Sequence, residues 1–274
     1  MTNRQKSASF QHYLLNWYSI YGRHDLPWRQ TTDPYHILVS ELMLQQTQVE
    51  RVIPKYLAFI KEFPSFSKLA QAEQSEVIEL WQGLGYNRRA RYLHQCAQQV
   101  AGKTFPKTLK ELEQLPGIGP YTATAICAFS YNQPVIMLET NIRTVFLYHF
   151  FPGQTSVKDS DLIPYIIKTL DTQNPREWYW ALMDYGSVLK KLTGNHARRS
   201  SSYTKQSKFA GSLRQVRGEI IRLLTQASEL TEIELQTKIT GDKRHFPDAF
   251  LQLQKEGMIR HGKKSTSGGC RWHL

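Results

Sequence analysis

The chain has 274 residues, enough for one or two domains with a sizeable core. It carries 35 Lys and Arg against 23 Asp and Glu, a formal net charge of +12 that favours a polyanionic partner, nucleic acid before a membrane surface. No apolar run could cross a bilayer, residues 1–10 lack the apolar segment of a signal peptide, and three widely spaced cysteines form neither a disulfide framework nor a metal knuckle. We therefore expect a cytoplasmic, nucleoid-associated protein without a membrane partner.

Apolar residues recur at helical spacing along most of the chain. No convincing series of alternating strands precedes residue 210, so the main body is predicted to be all-α. The predicted helices cover residues 10–18, 49–63, 75–81, 88–100, 108–115, 121–129, 142–150, 159–170 and 175–192.

The pattern changes towards the C-terminal end of the chain. Three helical patterns are followed by two strand patterns around a Gly/Ser/Lys tip, which is the order of a winged helix. Such a module can bind DNA or dock a partner protein. The helices are predicted at 213–226, 232–238 and 246–256, and the strands at 258–261 and 270–274.

Residues 185–218 contain eight basic residues and no acidic one. The middle of this stretch is rich in Ser, Gly and Asn, which is typical of a solvated linker. Because so much positive charge is concentrated there, we instead predict a contact surface for the DNA backbone. The predicted contacts are Arg198, Arg199, Lys205 and Lys208. The chain is thus divided into a domain at 1–195, a basic linker at 196–212 and a winged-helix-like domain at 213–274.

Residues 115–120, LPGIGP, place two glycines and two prolines ahead of an apolar helix. Such a turn can direct backbone N–H groups and the positive end of the helix dipole at a phosphate, although a plain helix–helix turn has the same composition. Glu139 precedes the helix at 142–150. It could be a helix cap or a catalytic carboxylate one helix away from the phosphate site.

Two further residues have ambiguous surroundings. Glu41 lies in the apolar stretch 35–44, where its side chain either turns to solvent, which periodicity alone favours, or lies in a cleft with a raised pKa. Tyr86 ends the turn GLGY and precedes three arginines, so it could stack on a base or insert into a duplex, or it could simply pack in the turn.

Four motifs together resemble the MutY-type adenine DNA glycosylases of the helix-hairpin-helix base-excision superfamily. They are LPWR at 26–29, SELMLQQTQV at 40–49, GLGY at 83–86 and LPGIGPYT at 115–122, and the resemblance spans about residues 10–195. It implies a two-lobed, mainly α-helical fold, with the winged-helix-like module added, that bends the duplex and flips one nucleotide into a cleft between the lobes.

The resemblance also implies residue roles. Glu41 corresponds to the general acid that protonates the flipped purine, and Glu139 to an aspartate that stabilises the sugar cation and helps deliver water. Tyr121 matches a tyrosine beside these acids; bifunctional relatives have a Schiff-base lysine there, so a monofunctional enzyme is expected. The other matches are Gln46 and Tyr86 to residues that insert at the mispair, Gly117 and Gly119 to the phosphate grip with Asn141 in support, and Trp28, Arg29 and Asp184 to the base pocket.

The chain departs from the family in four respects. Glu139 is one methylene longer than the usual aspartate, and Asn87 replaces a second tyrosine after GLGY. The four-cysteine iron–sulfur loop is missing, so no cluster is expected and residues 198–208 would hold DNA in its place, while the hairpin could still bind a monovalent cation. The winged-helix-like module stands where the family has a Nudix-related domain that inspects 8-oxoguanine.

Three functions are consistent with these residues. The first is a glycosylase that removes adenine opposite 8-oxoguanine or guanine in double-stranded DNA, acting as a monomer. The second is a related enzyme that removes thymine or uracil opposite guanine, since those relatives also have a tyrosine at position 121. The third is a non-catalytic lesion-binding protein, which the Glu139 substitution keeps open. Because both carboxylate positions remain acidic, the enzymes are favoured.

Overall fold

The structure is a computed structural model that describes residues 3–205, 208–262 and 270–274. Helices dominate these ranges, and the helix bounds follow the apolar periodicity of the sequence closely. The α-helices are α1 (Asn3–Tyr21), α2 (Pro34–Leu44), α3 (Val49–Glu62), α4 (Phe66–Ala70), α5 (Gln74–Trp81), α6 (Arg88–Val100), α7 (Leu109–Leu112), α8 (Pro120–Phe129), α9 (Thr140–Phe150), α10 (Asp159–Thr169), α11 (Pro175–Thr193), α12 (Leu213–Ala227), α13 (Glu232–Lys238) and α14 (Phe246–Lys255).

The predicted mainly helical fold with a small C-terminal module is confirmed. Three short strands, β1 (Leu230–Thr231), β2 (Arg260–His261) and β3 (Arg271–His273), form an antiparallel sheet in the order β1-β3-β2. Strand β1 was not predicted, because two residues are too few to show an alternating pattern. Trp272 pairs with Leu230 on one side and with His261 on the other. The predicted strand tip lies mostly outside the described residues.

The chain divides into two compact units. The first contains residues 1–41 and 104–205, and the second contains residues 42–103 and 206–274. In the first unit, α9 and α11 pack against each other and α1 packs on α11. Leu14, Phe146, Trp178 and Tyr179 are completely buried there and form part of its core.

In the second unit the C-terminal module shares its core with the segment 42–103. Ile78 of α5 belongs to the same buried cluster as Val216 of α12 and Leu253 of α14. The side-chain amide of Gln74 also donates to the carbonyl of Gly257 at 2.8 Å. The module is therefore packed as part of this unit.

The segment expected to be a linker begins as ordered structure in the first unit. His196–Arg199 is a short 3-10 helix, and the N–H of Ser201 donates to the carbonyl of Val157 at 3.0 Å. Residues 206 and 207 lie outside the described ranges. None of the described helices has the length and apolarity needed to cross a membrane.

Candidate active site

Glu41 lies in α2 and is 7 % exposed. Its neighbours Leu38, Val39 and Leu42 are buried as well, so α2 is apolar on more than one face and the solvent position favoured by periodicity is wrong. Burial raises the pKa of Glu41 to about 7, assisted by the charge of Glu139 and opposed by a hydrogen bond with Tyr121. Glu41 is therefore a carboxyl group that can hold a proton near neutral pH.

Glu139 is the N-cap of α9. Its Oε1 atom accepts hydrogen bonds from the backbone N–H groups of Asn141 at 2.7 Å and Ile142 at 2.9 Å. Burial raises the pKa of Glu139, but these N–H donors and the charge of Arg143 act in the opposite direction. The side chain is thus both a cap and a carboxylate whose negative charge is stabilised by the helix N-terminus.

Tyr121, at the start of α8, is influenced by both acids. Burial, followed by the charges of Glu41 and Glu139, raises its pKa well above the usual value, and its side chain is hydrogen-bonded to Glu41. The structure therefore brings together the three residues that the sequence analysis assigned to catalysis. Since Tyr121 stays protonated, its hydroxyl is a donor rather than a base.

Two residues that the sequence analysis missed fix the position of Glu139. The hydroxyl of Tyr179 donates to the carbonyl of Val135 at 2.6 Å and accepts from the N–H of Met137 at 3.0 Å, which holds the segment before Glu139. A Cβ atom on Gly186 would lie 2.4 Å from the carbonyl oxygen of Asn141, so α11 needs glycine there to approach α9. A glycine inside an otherwise good helix was the available signal.

Two arginines bind the carboxylate of Asp184, which is 2 % exposed. Arg29 donates to both its oxygens, at 2.7 and 2.9 Å, and Arg23 donates through Nε and through its backbone N–H, each at 2.8 Å. Burial alone would raise the pKa of Asp184, but the bonds to Arg29 and Arg23 lower it. Arg29 in turn lowers the pKa of Glu41 through its charge.

Two of the three predicted base-pocket residues, Arg29 and Asp184, are directly bonded. Trp28 is buried in the short 3-10 helix Pro27–Arg29 and directly precedes Arg29 in the sequence. Arg23 was missed by the sequence analysis, because its partner is 161 positions away and nothing local indicates it. The two bonds from Arg29 to the carboxylate of Asp184 fix the orientation of the Arg29 guanidinium.

The loop between α7 and α8 has the geometry expected of a phosphate-binding hairpin. Gly117 has a φ of 79°, which favours glycine, and Gly119 is the N-cap of α8 with no side-chain cap. A Cβ atom added to Gly119 would meet no atom within 4 Å, so the face of the turn is open. Pro120 follows at the first helical position.

Gln46 and Tyr86, the predicted inserting residues, have left-handed backbones with φ of 56° and 48°. Such angles are uncommon outside glycine and cluster at functional sites. The buried guanidinium of Arg89 connects their turns, donating to the carbonyls of Gln45 at 2.6 Å and Gly85 at 2.9 Å. It also donates to the carbonyls of Leu42, Met43 and Leu84 and to the hydroxyl of Thr47.

Comparison with known proteins places these residues in a family. Residues 39–162, which include Glu41, Tyr121 and Glu139, match the HhH-GPD superfamily of base excision DNA repair proteins. An adenine DNA glycosylase of Mycobacterium tuberculosis is 43 % identical over 277 residues, covering 90 % of this chain and 88 % of that protein. Another from Mycolicibacterium smegmatis is 34 % identical over 269 residues, covering 90 % and 91 %. The chain belongs to the adenine DNA glycosylase family.

A solved structure of a thermostable thymine-DNA glycosylase has a similar fold. Its TM-score is 0.61 at 23 % sequence identity, covering 72 % of this chain and 93 % of that one. At this identity the likeness concerns the fold alone. The helix-hairpin-helix architecture expected from the sequence is thus confirmed.

The four basic residues after α11 that were predicted to contact DNA differ in their surroundings. Arg198, Lys205 and Lys208 are exposed, as a contact surface for DNA requires. Arg199 instead donates to the backbone carbonyls of Leu147 at 2.6 Å and Phe151 at 2.7 Å, at the end of α9. A cation there satisfies carbonyls that the helix leaves unpaired, so Arg199 has a structural contact that the sequence did not indicate.

We expect Arg199→Met to lower the free energy of unfolding by about 2 kcal/mol, because buried carbonyl groups lose a charged donor. Denaturant unfolding would measure this change. Arg198→Met is a matched control that removes the same charge from the neighbouring, exposed position. Equal stability of the two variants would contradict the structural role.

The iron–sulfur cluster usual in the adenine DNA glycosylase family does not fit the residues of this chain. Four cysteine ligands are required, and the sequence contains only Cys96, Cys127 and Cys270. Burial raises the pKa of Cys96 to about 12 and also raises that of Cys127, which disfavours the thiolate form that binds metal. In the described ranges, no three His, Cys, Asp or Glu side chains are grouped as metal ligands.

Proposed function

We propose that this protein is a monofunctional DNA glycosylase that hydrolyses the N-glycosidic bond of adenine mispaired with 8-oxoguanine or guanine in duplex DNA. The observation that carries the proposal is the contrast between two neighbouring carboxyl groups. Burial raises the pKa of both groups, that of Glu41 to about 7, but at Glu139 two backbone N–H donors favour the charged form and oppose the increase. Acids with such unlike surroundings divide the roles of proton donor and anion between them.

The reaction follows from these states. Protonated Glu41 gives its proton to a ring nitrogen of the flipped adenine, and the C1′–N9 bond breaks with its electron pair on the base. The sugar is left as an oxocarbenium-like cation, which the carboxylate of Glu139 stabilises. A water molecule then adds to C1′, and the proton it loses passes to the carboxylate of Glu41, which restores the starting state. Adenine and an abasic site are the products.

The remaining residues support DNA binding in this proposal. The open hairpin at Gly117 and Gly119 accepts a phosphate at the N-terminus of α8. Gln46 and Tyr86 enter the duplex at the mispair. Their side chains fill the gap left by the extruded nucleotide and so stabilise its extrahelical position. Trp28 and the Arg29–Asp184 pair line the base pocket. By the resemblance to the family, the C-terminal module stands where other members have a domain that inspects the opposite base.

The function is tested with a panel of duplexes that carries all mismatches, the 8-oxoguanine pairs and uracil opposite guanine, each treated with alkali after incubation to reveal abasic sites. We expect adenine release opposite 8-oxoguanine and guanine. Release of thymine or uracil opposite guanine would favour the alternative substrate, and no release in single-turnover conditions would indicate a lesion-binding protein. Without alkali the strand should stay intact, because Tyr121 has no amine for a Schiff base.

The basic segment should contribute to binding of any duplex. Replacing Arg198, Lys205 and Lys208 together with glutamine should flatten the plot of log affinity against log salt by about 0.9 per lost phosphate contact. The same number of substitutions at Lys61, Lys168 and Lys255, which are also exposed, is the charge-matched control. A salt dependence equal to that of the control would show that this segment does not contact DNA.

A further inference from the structure

The Tyr86 side chain is held by a residue of the C-terminal module. Nη1 of Arg214, in α12, donates to the hydroxyl of Tyr86, and the guanidinium carbon of Arg214 lies 4.9 Å from the centre of the Tyr86 ring. Both residues belong to the second unit. A charge-assisted hydrogen bond and a cation–π contact therefore act on the same ring.

The backbone below that ring is fixed separately. Arg89 donates to the carbonyls of Leu84 at 3.2 Å and Gly85 at 2.9 Å, so the left-handed turn has its own support. The guanidinium carbon of Arg89 also lies 5.4 Å from the centre of the Tyr86 ring. The hydroxyl end of the Tyr86 side chain is bonded by Arg214, which lies 128 positions away in the sequence.

Helix α12, which carries Arg214, is held in the second unit by buried and ionic contacts. Val216, two residues further on, is completely buried in the core that includes Ile78. Arg217 forms an ion pair with Glu256 at 2.6 Å, and Glu256 also pairs with Arg88, two residues after Tyr86. These contacts, two and three residues after Arg214, therefore tie α12 to the segment that carries the turn.

We propose that Arg214 is a positioning residue that orients the Tyr86 side chain for insertion at a mispair. Through Arg214 the C-terminal module thus supports the inserting side chain. The inference rests on the proposed function, because it assumes that Tyr86 enters the duplex. A side chain that is already oriented loses less conformational freedom on binding, and its placement stays within the narrow tolerance of the site. The module thus contributes to recognition without contacting a base itself.

The test compares Arg214→Ala with Arg222→Ala, which removes the same charge from an exposed position on the same helix. Arg214→Ala should slow single-turnover release of adenine opposite 8-oxoguanine about tenfold, in line with coupling energies between contacting residues. Fluorescence of 2-aminopurine placed beside the 8-oxoguanine should rise less than with the wild-type protein, because the stack is opened less often. Arg222→Ala should change neither, and Arg214→Lys should recover part of the rate.

The double variant Arg214→Ala/Tyr86→Ala shows whether the effect of Arg214 on the rate depends on the Tyr86 ring. Once Tyr86→Ala is present, adding Arg214→Ala should cause no further loss. The proposal would be overturned if the rate losses of Arg214→Ala and Tyr86→Ala multiplied in the double variant. It would also be overturned if Arg214→Ala and Arg222→Ala behaved alike. If the wild-type protein releases no base from any duplex, the proposed function fails, while the 2-aminopurine signal of the same variants still decides the role of Arg214.

Discussion

Glu41→Gln should abolish adenine release, with a single-turnover rate about 10²- to 10⁴-fold lower than that of the wild-type protein. Glutamine fills the same buried space but cannot donate a carboxylic proton to the leaving base. Affinity for the mispaired duplex, measured by titration of a labelled duplex, should be unchanged. A variant that still releases adenine at a comparable rate would show that another group supplies the proton.

The pH dependence gives a second measure of the same residue. The folded-state pKa of Glu41 is raised from 4.5 to about 7, so the active, protonated form is lost as the pH rises through about 7 and the rate should fall there. The wild-type protein also loses stability between these two pH values, because the unfolded carboxyl group ionises there while the folded one keeps its proton. Glu41→Gln removes this loss and should be the more stable protein at pH 8, on the order of 3 kcal/mol. An unchanged pH dependence of stability in the variant would contradict the burial of Glu41.

Glu139→Gln should leave DNA binding intact and slow excision by about 10²- to 10³-fold, the range found when one electrostatic contact to a transition state is removed. The amide oxygen of glutamine can still accept the N–H groups of Asn141 and Ile142, so α9 keeps its cap. What is lost is the negative charge near the sugar. Single-turnover kinetics and affinity for a mispaired duplex separate the two effects.

Glu139→Asp is the matched control, since it keeps the charge and restores the residue usual in the family. Aspartate is also a good N-cap, so the helix should start at the same position. We expect this variant to retain more activity than Glu139→Gln even if the shorter side chain moves the carboxylate. Equal activity of the wild-type protein and Glu139→Gln would mean that another group stabilises the sugar cation.

Much of the fold could be predicted because helix periodicity is a local property. The helices from α5 to α11 follow patterns of apolar residues that are visible in short windows of sequence. Glu41 shows where periodicity fails, because a helix buried on more than one face has no polar side to identify. Its position was indicated by the motif around it, through the resemblance to known glycosylases.

The contacts that orient the site could not be predicted, because they join distant parts of the chain. Arg23 reaches Asp184 across 161 positions and Arg214 reaches Tyr86 across 128. A charged residue near a turn is compatible with many partners until the tertiary structure selects one. Glu139 could be predicted in part, since its sequence position allowed both a cap and a catalytic role. The structure shows that the cap hydrogen bonds fix the position of its carboxylate.

Arg89 couples the turn that carries Gln46 to the turn that carries Tyr86. One side chain joins carbonyl groups on both sides of a gap of 40 positions in the sequence, from Gln45 to Gly85. A substitution there would remove donors from both turns at once. In an Arg89 variant the left-handed backbones of Gln46 and Tyr86 should therefore be disturbed together.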